Sequence, residues 1–162
     1  MFDFGIAGYQ PQWLRGLAGL EVVHGQRLAG LTGRALSNVW LVWAIDSDRW
    51  MSDWPILLDF DGEQVEINHQ KTDDVSITYN TIISSKPIRD FGCEWRSEPL
   101  RGLRPLPGQR LHHAQLLECP DDTSIGEAPV AVAFAFTSGY LAIYNHGDCN
   151  GLLFQPPTAR SI

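Results

Sequence analysis

Two histidines stand in similar company. His69 is followed by Asp73 and Asp74, and His146 by Asp148. Two imidazoles and a carboxylate hold zinc or iron when they converge, so these five residues form the candidate metal or acid/base set. The alternative is a pair of solvated loop histidines. The motive for expecting equivalence is an internal echo. Gly62 to Asn68-His69, followed after five residues by Val75-x-Ile77, matches Gly139 to Asn145-His146, followed after five by Leu152-x-Phe154. Each copy follows an apolar run, so the echo predicts two hairpin-loop-strand units related by pseudosymmetry. Asn68 and Asn145 would shape the loops, since Asn tolerates left-handed backbone and bonds its own main chain.

Other groups carry less chemistry. His112 and His113 are adjacent, and successive strand residues point to opposite faces, so the pair cannot chelate one ion. One is expected buried and hydrogen-bonded, the other in water. Asp46-x-Asp48 and Asp59-x-Asp61 lack the ordered oxygen series and closing glutamate of a calcium loop. No G-x-S-x-G, glycine-rich phosphate cradle, H-E-x-x-H or zinc-ribbon spacing occurs. Cys93, Cys119 and Cys149 lack a basic setting that would activate a thiol, and Cys93 reads as a small core residue. An enzyme of common type is not expected, and no catalytic residue or cofactor is assigned.

The charge pattern points to binding instead. From Asp46 to Asp74 the chain carries nine acids against two bases, a net −7 that equals the formal charge of the whole protein. A compact acidic surface steers a basic partner. The partner-binding candidates are therefore Asp46, Asp48, Asp53, Asp61, Glu63 and Glu66, and the leading expectation is a non-catalytic protein-binding module, inhibitor-like or immunity-like, with a basic protein as partner. The competing account is a solvated face that keeps the chain soluble. Nucleic acid is not an expected partner, because phosphate contacts need clustered Lys and Arg. A second class of function rests on Trp40, Trp43, Trp50, Trp54, Trp95, Tyr79, Tyr140 and Tyr144. These aromatics could line a barrel pocket that binds a small molecule or promotes an isomerisation or cyclisation without a cofactor. Otherwise they are plain core.

The elements that must position these residues are short strands. Val39, Leu41, Trp43 and Ile45 alternate with Trp40, Val42 and Ala44, so a strand over Ala35–Ile45 is apolar on both faces and central. Ile56–Phe60 and the return through Val65 and Ile67 form a hairpin on Asp61-Gly62, with positive φ at both turn residues. A polar loop over Asn68–Asp74 leads to a strand at Val75–Ile82. Further strands are predicted at Phe91–Arg96, His112–Glu118, Pro129–Phe136, Tyr140–Asn145 and Leu152–Phe154. Pro99–Pro107 reads as a connector, Cys119–Ala128 as a loop. The alanine face of Pro129–Phe136 predicts close approach by a bulky neighbour such as a tryptophan. Trp50 and Trp54 are expected to lid a core edge. Gly16, Gly19 and Gly25 limit the stretch from Pro11 to Leu17 to a helical turn or two.

These elements predict an all-β, mostly antiparallel sandwich or barrel with at most a short N-terminal helix. It is expected to be one domain over 1–162, with 1–16 an N-terminal extension and 155–162 a surface tail. Three widely spaced cysteines, no signal-like start and no long apolar run predict a cytoplasmic protein that does not enter membranes.

Overall fold

A computed structural model describes residues 3–71, 73–89, 92–119 and 129–156. The predicted loop over 120–128, Phe91 at the start of one predicted strand, and the tail from 157 lie outside them. Eleven strands are described, β1 (Trp13–Arg15), β2 (Asn38–Ala44), β3 (Arg49–Trp50), β4 (Ile56–Phe60), β5 (Glu63–Gln70), β6 (Asp74–Tyr79), β7 (Cys93–Ser97), β8 (Leu111–Glu118), β9 (Val130–Phe136), β10 (Gly139–His146) and β11 (Cys149–Leu153). One sheet runs β1-β6-β5-β4-β2-β3, with β7 also on β2, and the other runs β11-β10-β9-β8. Every pairing is antiparallel. The fold is an all-β two-sheet arrangement with one α-helix near the N-terminus, as the alternation predicts.

Alternation decides which side chains meet between the sheets. Val39, Leu41, Ile56, Leu58, Phe60, Val65, Ile67, Val75 and Ile77 of the first sheet share one cluster with Val130, Val132, Phe134, Phe136, Leu141 and Ile143 of the second. Phe60 lies 5.5 Å from Phe134 and stacks on Phe136 at 6.4 Å. Aromatic rings therefore fill the middle of the sandwich, where a barrel pocket was one expectation. The Asp61-Gly62 turn has φ of 55° and 94°, the two positive values that the dipeptide predicts.

The helix α1 (Leu17–Ala29) is longer than the glycines suggest. Leu20, His24 and Leu28 recur every four residues and bury one stripe, which stabilises the helix by packing although glycine propensity opposes it. Gly19 is exposed and meets nothing, so it costs propensity without disturbing that stripe. Residues 13–15, expected as part of a helical turn, are instead an edge strand on β6.

The far face of the first sheet is closed by the chain's own start. Phe4, Ile6 and Tyr9 pack with Ile82 and Ile88 over Val42, Trp54, Leu57 and Cys93. Ile83 N–H donates to Ala7 O at 2.9 Å and Arg89 N–H to Gly5 O at 3.0 Å, fastening this strap to the 82–89 segment. Gly8 permits the crossing: its φ is 82°, and a Cβ there would stand 2.2 Å from the Thr81 carbonyl oxygen. Trp54 is buried and Trp50 packs on the main core, so both lid a core edge. The alanine face of β9 meets Tyr140, Ala142 and Leu117 from the flanking strands, not a tryptophan.

Candidate functional site

The polar loop predicted over 68–74 is mostly strand. Asn68, His69 and Gln70 end β5, and Asp74 begins β6, which leaves Lys71 and Asp73 as the described turn residues. This corrects the fate of both predicted sets. His69 is fully buried. Its Nδ1 lies 3.0 Å from Asn150 Oδ1 and its Nε2 2.9 Å from the Val130 carbonyl, so both ring nitrogens are committed to protein. His146 is exposed beside the Tyr144 ring. Asp74 is buried and paired with Arg15, Asp73 is half-buried and lies 3.6 Å from Arg15 Nε, and Asp148 is an exposed turn residue with φ of 68°. No group of three or more metal-capable side chains forms among the described residues. The echo explains the failure. The two strands do approach, since Asn145 Nδ2 donates to Lys71 O, yet Val65 and Ile67 face the core while their counterparts Ala142 and Tyr144 face away from it. A one-residue slip of register reverses every side chain.

The acidic candidates scatter for a related reason. Asp46, Asp48 and Asp53 are exposed at one end of β4, and Asp61 and Glu63 lie at the other. Asp48 accepts from Trp43 Nε1 and meets Arg96, and Glu63 accepts from Arg27 at 2.8 and 3.1 Å. Glu66 is a correction: it is fully buried and cannot present a charge to a partner. It accepts from Thr78 Oγ1, Thr81 Oγ1, Thr81 N–H, Ile82 N–H and Gln64 Nε2. His112 and His113 are both exposed, because a bulge between Leu111 and His113 breaks the alternation that would have buried one.

The more structured site lies where no motif pointed. Gln12, Val23, His24, Arg27, Ile77, Thr78, Tyr79 and Thr81 line a pocket of about 330 Å³ between α1 and β6. His24 is 3% exposed, with Nδ1 3.0 Å from the Tyr79 hydroxyl. The two share one hydrogen bond, whose donor is set by the imidazole tautomer. His24 Nε2 is buried and has no hydrogen-bond partner among the described residues. Arg27 lies over the Tyr79 ring at 4.2 Å and holds Glu63. Burial, aided by the Arg27 charge, lowers the His24 pKa, and burial raises that of Tyr79. The pocket lining therefore combines a neutral imidazole, a neutral phenol and a cation. Its lower wall is fixed from behind, since Thr78 and Thr81 both bond the buried Glu66 carboxylate.

Acid should expose the two buried histidines. Burial lowers the His69 pKa as well, although its two hydrogen bonds pull it back up. The unfolded chain then binds protons near pH 6.5 that the native state refuses, so stability rises with pH through that range. It is complete above about pH 6.5 and declines below it by about 1 kcal/mol per histidine per pH unit, until the depressed native values are reached. Urea denaturation between pH 7 and 5 measures this slope, and His24→Gln should roughly halve it. A flat profile would mean that neither ring is held neutral.

No protein-family model matches the chain, and comparison with curated proteins and with solved structures returns no match either. Sequence reasoning passed over His24, Arg27 and Gln12. The signal was present as Leu17, Leu20, His24, Leu28 and Leu31, one helical stripe with a histidine in it.

Proposed function

We propose that the protein is a binding module that recognises its partner through the α1–β6 pocket. One observation carries the proposal: a buried imidazole nitrogen without a hydrogen-bond partner among the described residues belongs to a side chain that lines an open pocket, and leaving such a group unmatched costs about 1–3 kcal/mol that a bound partner group would recover. The exposed Val23, 54% accessible on the adjoining helix, adds an apolar rim. The acidic surface supports partner binding less well, because its charges are divided between the two ends of β4 and several are already paired. A small-molecule ligand is the second account, favoured by a volume at the lower end of the range for metabolite sites.

Native mass spectrometry of the full chain, purified gently from its source, separates these accounts. We compare the natural chain with Val23→Lys, which fills the pocket mouth at an exposed site, and with Asp46→Asn/Asp53→Asn/Asp61→Asn. A retained chain or small molecule should vanish with Val23→Lys, its occupancy falling at least tenfold, and survive the triple change. The reverse pattern would transfer recognition to the acidic surface.

A further inference from the structure

We propose that the pocket takes an extended peptide segment carrying an acidic side chain, which adds to the open edge of β6 as a short strand. This rests on the pocket being the recognition site and specifies what fills it. The backbone parity of β6 makes the case. Asn80 N–H donates to Gln64 O at 3.0 Å, so the even-numbered residues of β6 bond β5 and the odd-numbered ones face the opposite edge. On that edge β1 pairs Arg15 with Asp74, Leu14 with Val75 and Trp13 with Ser76, and the pairing ends there. The chain's own start cannot prolong it. Pro11 has no N–H, and Gln12 N–H donates to the Ser76 hydroxyl at 2.8 Å instead of to the Ile77 carbonyl. Among the described residues the Ile77 carbonyl and both backbone groups of Tyr79 have no ladder partner, on residues that line the pocket.

A strand edge left open inside a groove, with a helix as the opposite wall, is the setting for strand addition, in which main-chain bonds supply affinity and side-chain pockets supply selectivity. The open stretch Ile77–Tyr79 is about 10 Å long, room for three residues. In an antiparallel addition the incoming residue opposite Tyr79 shares the face of Tyr79, where His24 and Arg27 stand. A carboxylate there accepts from Arg27 Nη1, the part of the guanidinium that Glu63 does not hold, beside the His24 ring. Charge selects this class, because Arg27 is the charged side chain in the lining. The residue opposite Ile77, two positions later, meets Val23. The motif expected is acidic-x-apolar, read in the direction of the incoming chain.

Selection of random eight-residue peptides on the full chain should enrich that motif. A synthetic winner is then titrated into the nitrogen-15-labelled protein. The Tyr79 amide proton should move downfield and exchange more slowly, and His24 Nε2 should shift with it. Replacing the peptide acid by its amide should weaken binding about tenfold. Methylating the backbone nitrogen of the residue opposite Tyr79 should abolish it, as should Val23→Lys on the protein. Sodium benzoate is titrated as a small carboxylate control. If benzoate moves His24 while no peptide moves the Tyr79 amide, strand addition is wrong and the pocket remains a ligand site. If a selected peptide binds Val23→Lys undiminished and neither probe shifts His24, the pocket assignment falls as well.

Discussion

Glu66→Ala should lose about 4 kcal/mol of stability, a shift in the urea midpoint large enough to leave little folded protein in a marginal domain. The carboxylate accepts five hydrogen bonds, all from neutral donors, and two of those donors are the main-chain N–H groups of Thr81 and Ile82. Alanine removes the acceptor of every one of them at a fully buried position. Two threonine hydroxyls can rotate toward other acceptors, but the main-chain donors cannot turn away. Glu66→Gln is the informative control. Its oxygen retains the three N–H donors, and its amide faces Thr78 and Thr81, whose hydroxyls can reverse and accept. It should cost about 1 kcal/mol. If both variants lose equally, the negative charge itself matters, and hydrogen-bond satisfaction is not the controlling term. Because the same threonines line the pocket, the alanine variant at low denaturant should also disturb the His24 and Tyr79 resonances, while the glutamine variant leaves them nearly in place.

Glu66 also shows where a polar pattern misleads. Strands were legible wherever apolar residues alternated: β4, β9 and the Asp61-Gly62 turn follow from residue type alone. Along Glu66, Asn68, Asp74, Ser76 and Thr78 the sequence alternates polar residues that face the strap, and all are buried. Such residues read as a solvated surface because nothing local announces that Phe4, Ile6 and Tyr9 will pack over that face of the sheet. Burial here is a long-range property, set by contacts such as Ile83 to Ala7. The same gap hid the pocket. Its polar walls come from Gln12, from α1 and from β6, and only the fold joins them. Val22-Val23 compounded the error, since two exposed valines blur the amphipathic stripe that marks α1.

The second large effect belongs to Asn150, and there pH separates two substitutions of nearly identical shape. Its amide oxygen accepts from His69 N–H at 2.9 Å and faces His69 Nδ1, while its nitrogen donates to Trp54 O and Asn68 Oδ1, each at 2.9 Å. The flip state is thereby fixed, because the reverse orientation would set a donor against the His69 main-chain N–H. Asn150→Ala strands acceptors and donors on β5 and on the loop before β4 and should cost about 3 kcal/mol at pH 7. Asn150→Asp keeps the oxygen that faces His69 but gives up both donations and adds a buried charge, so near neutrality it should also be destabilised. Its pH dependence should differ in sign. A carboxylate 3 Å from the imidazole favours the charged ring, which already has a second acceptor in the Val130 carbonyl at 2.9 Å. Raising the folded pKa of His69 above its unfolded value makes this contribution complete below about pH 6.5 and lost as pH rises through the new value. The natural chain should therefore weaken as pH falls from 7 to 5 while Asn150→Asp recovers part of its deficit over the same range. Parallel denaturation series at pH 5, 6 and 7 compare the two slopes. Equal slopes would show that His69 does not sense the residue at 150, and would detach the buried imidazole from the junction between β5 and β11.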